Sequence, residues 1–369
     1  MRLSRIRLTI YGLIALALAF GALFILGHQS ARAEKKENFR SRSEGTFSAP
    51  VILLTQSFPA DPEIIIEIDK RLSGELEIRS GRVSQAQIEL VLIYETENSA
   101  NAQRLHDAVE VSLSDSHETV DFELTIDRSI DRIIVENFIQ VEIKIEVPEG
   151  VKVEIFAPRM ETEIRGPAAK ITISEPTRRV SVIGARGALR IESAKAPLEI
   201  RDFIGVFQIE TSGAELVLHD IEIKDTIGKP ARLARAVNSD GDIEISRYSG
   251  PLFISTSTGI IRGDEISLRG SRNSIRNQGG PIDIEFTEIQ IGTEISIKNR
   301  SEDIKLTFPS DISSRFELRF SDKDLVIFED IEHMVERVRS SNLLIKCGAG
   351  ESKISVAIRD GGSIKIGSN

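Results

Sequence analysis

The chain has 369 residues and a formal net charge of −10, which excludes the overall basic character of most nucleic-acid binders, so no nucleic-acid partner is expected. A single cysteine, Cys347, excludes both an internal disulfide framework and a cysteine-based zinc site. Aromatic residues make up only 5%, with no Trp, and isoleucine leads the apolar share, with valine adding to it; their β-branched side chains suit strands better than helices.

The N-terminus opens with Arg2, Arg5 and Arg7, followed by the uncharged run LTIYGLIALALAFGALFILG over residues 8–27. Twenty helical residues span about 30 Å, the thickness of a bilayer's hydrocarbon core. The run predicts a membrane anchor over residues 1–27, with Leu8, Ile10, Leu13, Ile14, Leu16, Leu18, Phe20, Leu23, Phe24, Ile25 and Leu26 meeting lipid. The competing expectation is a secretory signal segment, because Ala31 and Ala33 place small residues where a signal peptidase cuts. The run is long against the ~7–15 residues of a signal core, which favours the anchor. Either way the remainder is exported. It is tethered in the cell envelope if uncleaved, and periplasmic or secreted if cut after Ala33. Arg32, Lys35, Lys36, Arg40 and Arg42 follow the run and weaken the charge signal for orientation. No cysteine lies near it, so no lipoprotein anchor is expected.

Residues 28–50 are polar and aperiodic and read as a linker. Residues 51–150 alternate as strands do, in PEIIIEID, GELEIRSG, QAQIELVLIYE, VDFELTID and VEIKIEVP, with turn signals such as Ser73-Gly74 between them. They predict a strand-rich N-terminal domain. Within it, Ala102, Leu105 and Val109 fit one side of a short helix.

From Val151 to the end at residue 369 a different regularity takes over. Apolar-x-apolar pairs recur every nine residues: Val153/Ile155, Thr162/Ile164, Ile171/Ile173, Val180/Val182, Leu189/Ile191, Leu198/Ile200, Phe207/Ile209 and Leu216/Leu218. Helices repeat at 3.6, so this spacing is a strand of about five residues and a turn of four. Such a unit cannot bury its apolar side alone, but stacked units share one core. The expected fold is therefore all-β, a β-solenoid or β-helix, with Ile171, Ile173, Leu189, Ile191, Leu198, Ile200, Phe207, Ile209, Leu216 and Leu218 inside. The step breaks over residues 224–241, which read as an inserted loop. It resumes at Ile243/Ile245 and Leu252/Ile254 and loosens through SLRGSRNSIRNQGG. Near residues 328–339, Ile331, Met334, Val335 and Val338 follow i, i+3, i+4, i+7 and predict a short amphipathic helix.

The stretch VEIKIEVPEGVKVEIFAPRMETEIRGPAAKITISE resembles the bacterial putative-adhesin domains of unknown function. In those, a strand ending Val-Pro-x-Gly leads into a β-solenoid; the matching residues are Val147, Pro148 and Gly150. The likeness covers roughly residues 60–366. It implies an envelope-associated protein and brings no catalytic residues. The chain departs from the family in having few glycines at its turns beyond SGAELVL and DGDIEIS.

The residues between paired apolar positions face outward: Glu154, Glu163, Thr172, Ser181, Arg190, Glu199, Gln208 and Val217. In a two-sided coil, positions eighteen apart stack, so Glu154, Thr172, Arg190 and Gln208 share a face. No paired carboxylates line up there. Neither the histidines (His28, His106, His117, His219, His333) nor the NSDGD turn has metal-site spacing, and no cofactor is expected. His219-Asp220 reads as a surface turn, and Cys347 as a small core residue. The expectation is a non-enzymatic envelope protein acting in adhesion, binding or scaffolding, with a membrane, an envelope protein or a glycan as partner. Self-assembly through an open coil end is the alternative. A carbohydrate-active enzyme on the same scaffold ranks below both.

Overall fold

The computed structural model describes residues 40–43, 46–49, 51–57, 63–115, 119–130, 138–224, 234–270, 272–321, 325–331, 334–339 and 341–368. The expected anchor at residues 8–26 and the cleavage positions Ala31 and Ala33 lie outside them. Among the described residues no helix is long and apolar enough to cross a membrane. These residues are mostly strand; the α-helix is Ser99–Ala108 (α1), and Arg128–Ile130 forms a 3-10 turn.

The nine-residue step resolves into two rows of parallel strands. In the first row, Val153 stands opposite Ile171, Ile171 opposite Leu189, and Leu189 opposite Phe207. In the second, Thr162 stands opposite Val180, Val180 opposite Leu198, and Leu198 opposite Leu216. Each in-register partner is eighteen residues on, so neighbouring nine-residue units belong to opposite rows. Alternation along each strand turns one side inward. Ile171, Ile173, Leu189, Ile191, Leu198, Ile200, Phe207, Ile209, Leu216 and Leu218 are all at most 2% exposed, in one apolar cluster running from Ala49 to Ile366.

Corners between the rows are taken by residues in the left-handed region. Asp202, Asp220, Arg247 and Glu265 have φ of 52°, 55°, 48° and 52°; at another corner Glu175 and Ser193 have 51° and 53°. Non-glycine residues with positive φ are uncommon, and Asp is among those that tolerate it best. This accounts for a glycine-poor sequence at these turns. Beyond the first set of corners runs a short third side, where Phe203 stands opposite Ile221, Ile221 opposite Tyr248, Tyr248 opposite Ile266 and Ile266 opposite Phe286.

Departures from the period are turn insertions, with the rows intact. Leu216 pairs with Ile243, skipping one unit, while residues 225–233 lie outside the described part. Arg235–Asn238 is a strand, so the loop expected over 224–241 is shorter than the sequence suggests. The loosened stretch holds another strand, Asn273–Arg276, in register with Phe253–Ser255. One turn column is buried and polar: Asn238, Thr256, Asn277 and Asn299 each bond to backbone of the preceding coil.

Residues before 150 join the same rows. Glu63–Ile68 pairs with Lys152–Phe156, and Ser73–Gly81 with Met160–Arg165. The end of the stack is closed by antiparallel strands, Val109–Asp115 on Val120–Ile126 and Gln85–Glu95 on Phe138–Pro148. Helix α1 packs there through Ala102 and Leu105, and its buried His106 Nδ1 lies 2.7 Å from the Tyr94 hydroxyl. Val109 begins the next strand instead of lying on the helix. The linker expected over 28–50 is strand in part: Arg40–Ser43 pairs with Thr46–Ser48, which pairs with Gln85–Glu95.

The helix expected near 328–339 is not formed. Leu325–Glu329 and Met334–Arg339 are strands, the latter in an antiparallel hairpin with Asn342–Cys347. A bulge between Val335 and Arg337 places Val335 opposite Ile345 and Val338 opposite Leu343. An i, i+3 apolar spacing therefore lies on one side of a bulged strand as readily as on a helix. Cys347, on the same hairpin, is buried, and desolvation pushes its thiol up to about 11.

Candidate functional site

Two outward faces are available. On the second row, charges pair locally. Arg165 bonds to Glu163, and Arg179 and Arg201 both reach Glu199. Burial pushes the Glu199 carboxyl up, but the two arginines hold it below its ordinary range. Further along, His219 stands opposite Ser246 on the adjacent strand, its Nδ1 against the Ser246 hydroxyl. Arg247 bonds both to Asp220 and to His219 Nε2, and its hydrogen bond holds the Asp220 carboxyl below its usual range. His219 Nε2 also lies 3.2 Å from Asp220 Oδ2, so the imidazole is held between Ser246 on one nitrogen and Arg247 and Asp220 on the other. The cluster fastens adjacent strands at the corner, and the surface turn expected at His219-Asp220 is that corner. Among the described residues no three metal-ligating side chains converge.

The first row is different. Its outward positions run Glu154, Thr172, Arg190, Gln208 in register. The same line then continues across the insertion through Arg235, Phe253, Ser274, Ser296 and Ser355. The guanidiniums of Arg235 and Arg276 lie 5.6 and 5.7 Å from the Phe253 ring centre, close enough for cation–π attraction to one ring. Arg276 Nε donates to Ser274 Oγ at 3.1 Å. Lys298 stands opposite Arg276, and on the other flank Lys353 stands opposite Glu294.

A groove of about 1120 Å³ is lined by Phe253, Arg269, Arg272, Ser274, Arg276 and Lys353 among others, with Glu294 as its carboxylate; Arg235 and Lys298 stand beside it on neighbouring strands. Arg269 bonds to Ser249 and lies 4.0 Å from Glu222. Arg235, Arg272, Arg276, Lys298 and Lys353 have no ion-pair partner among the described residues, in contrast to the locally paired second row. The Arg235 Nε is buried without a hydrogen-bond partner among them.

Sequence periodicity reaches Gln208 and stops, because the insertion after residue 224 shifts the next strand by one unit. Arg235, Phe253, Ser274 and Arg276 therefore do not enter the expected face. The available signal is weak: Phe253 sits between the paired Leu252 and Ile254, and SRNSIRNQGG is basic without being periodic. The NSDGD segment supplies Asn238 to the buried turn column, with Oδ1 accepting from Gly241 N–H at 3.1 Å.

No protein-family model and no curated protein matches the chain. Among solved structures, a putative cell adhesion protein from Clostridium sporogenes aligns over 86% of this chain and 99% of its own, at 9% identity and a TM-score of 0.21. A putative lipid binding protein from Parabacteroides distasonis aligns over 86% and 96%, at 10% identity and a TM-score of 0.24. Likenesses this weak carry no argument about fold or function.

Proposed function

We propose that this chain is a non-enzymatic β-solenoid of the cell envelope, of the putative-adhesin kind, that holds a ligand on the outward face of its first row. The observation that carries this is the unbroken in-register line from Glu154 to Ser355, whose far half gathers unpaired cations around Phe253. Parallel pairing at a fixed step over one continuous core supports the solenoid. The apolar run at residues 8–26 supports export and tethering to a membrane. In this function the rod carries its face away from the membrane, and strands stacked about 4.8 Å apart extend it.

The test is to incubate the full-length protein in detergent with a panel of cell-wall and capsular glycans. Binding without turnover is expected, with circular dichroism dominated by β structure. Turnover abolished by changing one carboxylate would overturn the non-enzymatic reading, and a mainly helical spectrum would overturn the solenoid.

A second reading, self-assembly, is favoured by the other end of the stack. Val335 and Val338 are on the core side of their strand yet 48% and 70% exposed, and neither the expected helix nor the chain terminus covers them. The terminal strand Ser363–Ser368 lies between Ile304–Phe308 and Leu325–Glu329. Sedimentation over a range of concentrations should then show reversible dimers that Val335→Lys/Val338→Lys dissolves; a monomer at every concentration counts against it.

A further inference from the structure

The groove beside Phe253 has a layout that narrows its ligand. Its floor is a row of hydroxyls, Ser274 opposite Ser296 and Ser296 opposite Ser355, directly in line with Phe253. Arg276 forms one wall, with Lys298 opposite it on the next strand, and Arg272 and Lys353 stand on the other with Glu294 between them. Arg235 precedes Phe253 on the neighbouring strand. The long axis of this trough runs along the stack, across strands, and successive strands place its groups about 4.8 Å apart. We propose that it is a binding site for an acidic polysaccharide, a linear sugar chain bearing carboxylates, lying along the rod axis. The proposal rests on the solenoid reading above, since only stacked coils align these residues into a line.

The chemistry follows from what each row offers. Guanidiniums take oxyanions in a two-pronged geometry, and such charge-assisted bonds are the strong ones. Arg235 and Arg276 are pre-positioned by the ring between them, so little side-chain freedom is lost when an anion arrives. Burying the Arg235 Nε without an acceptor is unfavourable by itself, and bonds from the rest of that guanidinium to a ligand would offset it. Serine hydroxyls both donate and accept, which suits a hydroxyl-rich polymer, whereas a bare polyphosphate would use only the donors. Depth argues against a bilayer surface: Ser274 is 7% exposed beneath Arg276, beyond the reach of a planar array of headgroups. The single carboxylate, Glu294, sits on one wall and leaves the trough net basic.

The experiment uses full-length protein in detergent and four probes: polygalacturonate, neutral dextran, polyphosphate, and phosphatidylglycerol vesicles. Polygalacturonate should bind, dextran should not, and binding should weaken with added salt because screening acts on the charge pairs. Arg235→Gln/Arg276→Gln should weaken polygalacturonate about a hundredfold, roughly tenfold for each charge-assisted contact. Phe253→Leu should weaken it less, and Arg165→Gln on the other face should leave it unchanged. Circular dichroism of each variant separates loss of the site from loss of the fold. If the double variant keeps its β spectrum and binds as the parent does, the site is overturned with the solenoid intact. Tighter binding of polyphosphate, or vesicle binding that Arg235→Gln/Arg276→Gln weakens as much as it weakens polygalacturonate binding, overturns the sugar class. Failure of polygalacturonate to bind at low salt overturns the proposal outright.

Discussion

Gly205→Ala is expected to lower stability by more than about 3 kcal/mol, read as a fall in the urea midpoint for the coils it belongs to. Gly205 has φ +151°, and a Cβ there would stand 1.9 Å from the carbonyl oxygen of Gly187, its in-register neighbour on the adjacent strand. Gly187 is under the same constraint, with φ +130° and a Cβ position 2.2 Å from the Ala169 oxygen. The Gly205 backbone cannot withdraw, because it is paired on both sides, with Gly187 and with Ile223. Gly213→Ala makes the comparison: φ is +76°, but nothing lies within 4 Å of the new methyl. It should cost only the left-handed penalty of about 1–2 kcal/mol. Equal losses at the two sites would mean that Gly187 and Gly205 are not stacked. Repeat arrays need not unfold in a single step, so amide exchange in the affected strands is the firmer readout.

Asn277→Ala should be the costliest polar substitution, at about 2–5 kcal/mol, because it strips partners from several buried backbone groups at once. The Asn277 side-chain nitrogen donates to the Gly259 carbonyl at 2.6 Å and to Pro281 at 3.3 Å. Its oxygen accepts from the N–H groups of Gly279 and Gly280 at 3.3 and 3.2 Å. Asn299 repeats the pattern one coil on by donating to the Gly280 carbonyl, and Thr256 replaces it one coil back by donating to Gly241. The two asparagines thus close their own turns and tie them to the turn before, while Thr256 makes only the tie. Asn277→Asp should lose nearly as much, since a carboxylate accepts but cannot donate to Gly259. Amide exchange at Gly280 should accelerate in both variants. Protection there equal to that of the parent would show that the turn does not depend on the ladder.

These two sites mark what is visible along the chain and what is not. The alternation of Leu189/Ile191 and Leu198/Ile200 is local, and so is the nine-residue step. Together they suffice for strands and a shared apolar interior, while the eighteen-residue stacking of Glu154, Thr172, Arg190 and Gln208 follows only once two rows are chosen over three. The glycines at 187 and 205 stand eighteen apart in the sequence, yet nothing local tells a glycine required by a neighbouring carbonyl from one in an open turn. Asn277 lies in a basic, aperiodic stretch and looks like a surface turn residue until the coils stack and enclose it. The misread helix near Met334 has the same origin, for one extra residue in a strand imitates a helical spacing.

The sequence alone therefore determined strand character, the nine-residue step and which side chains turn inward, because a period of two and a step of nine are properties of neighbours along the chain. Tertiary structure alone decided how the rows continue past the insertion, where Ser352–Ala357 slips between Glu294–Lys298 and Ser314–Arg319, and that Phe253, Ser274 and Arg276 meet in one groove with Arg235 beside it. Pairing between distant strands depends on how each turn closes and on the core filled across the stack, and neither is written in the spacing of adjacent residues.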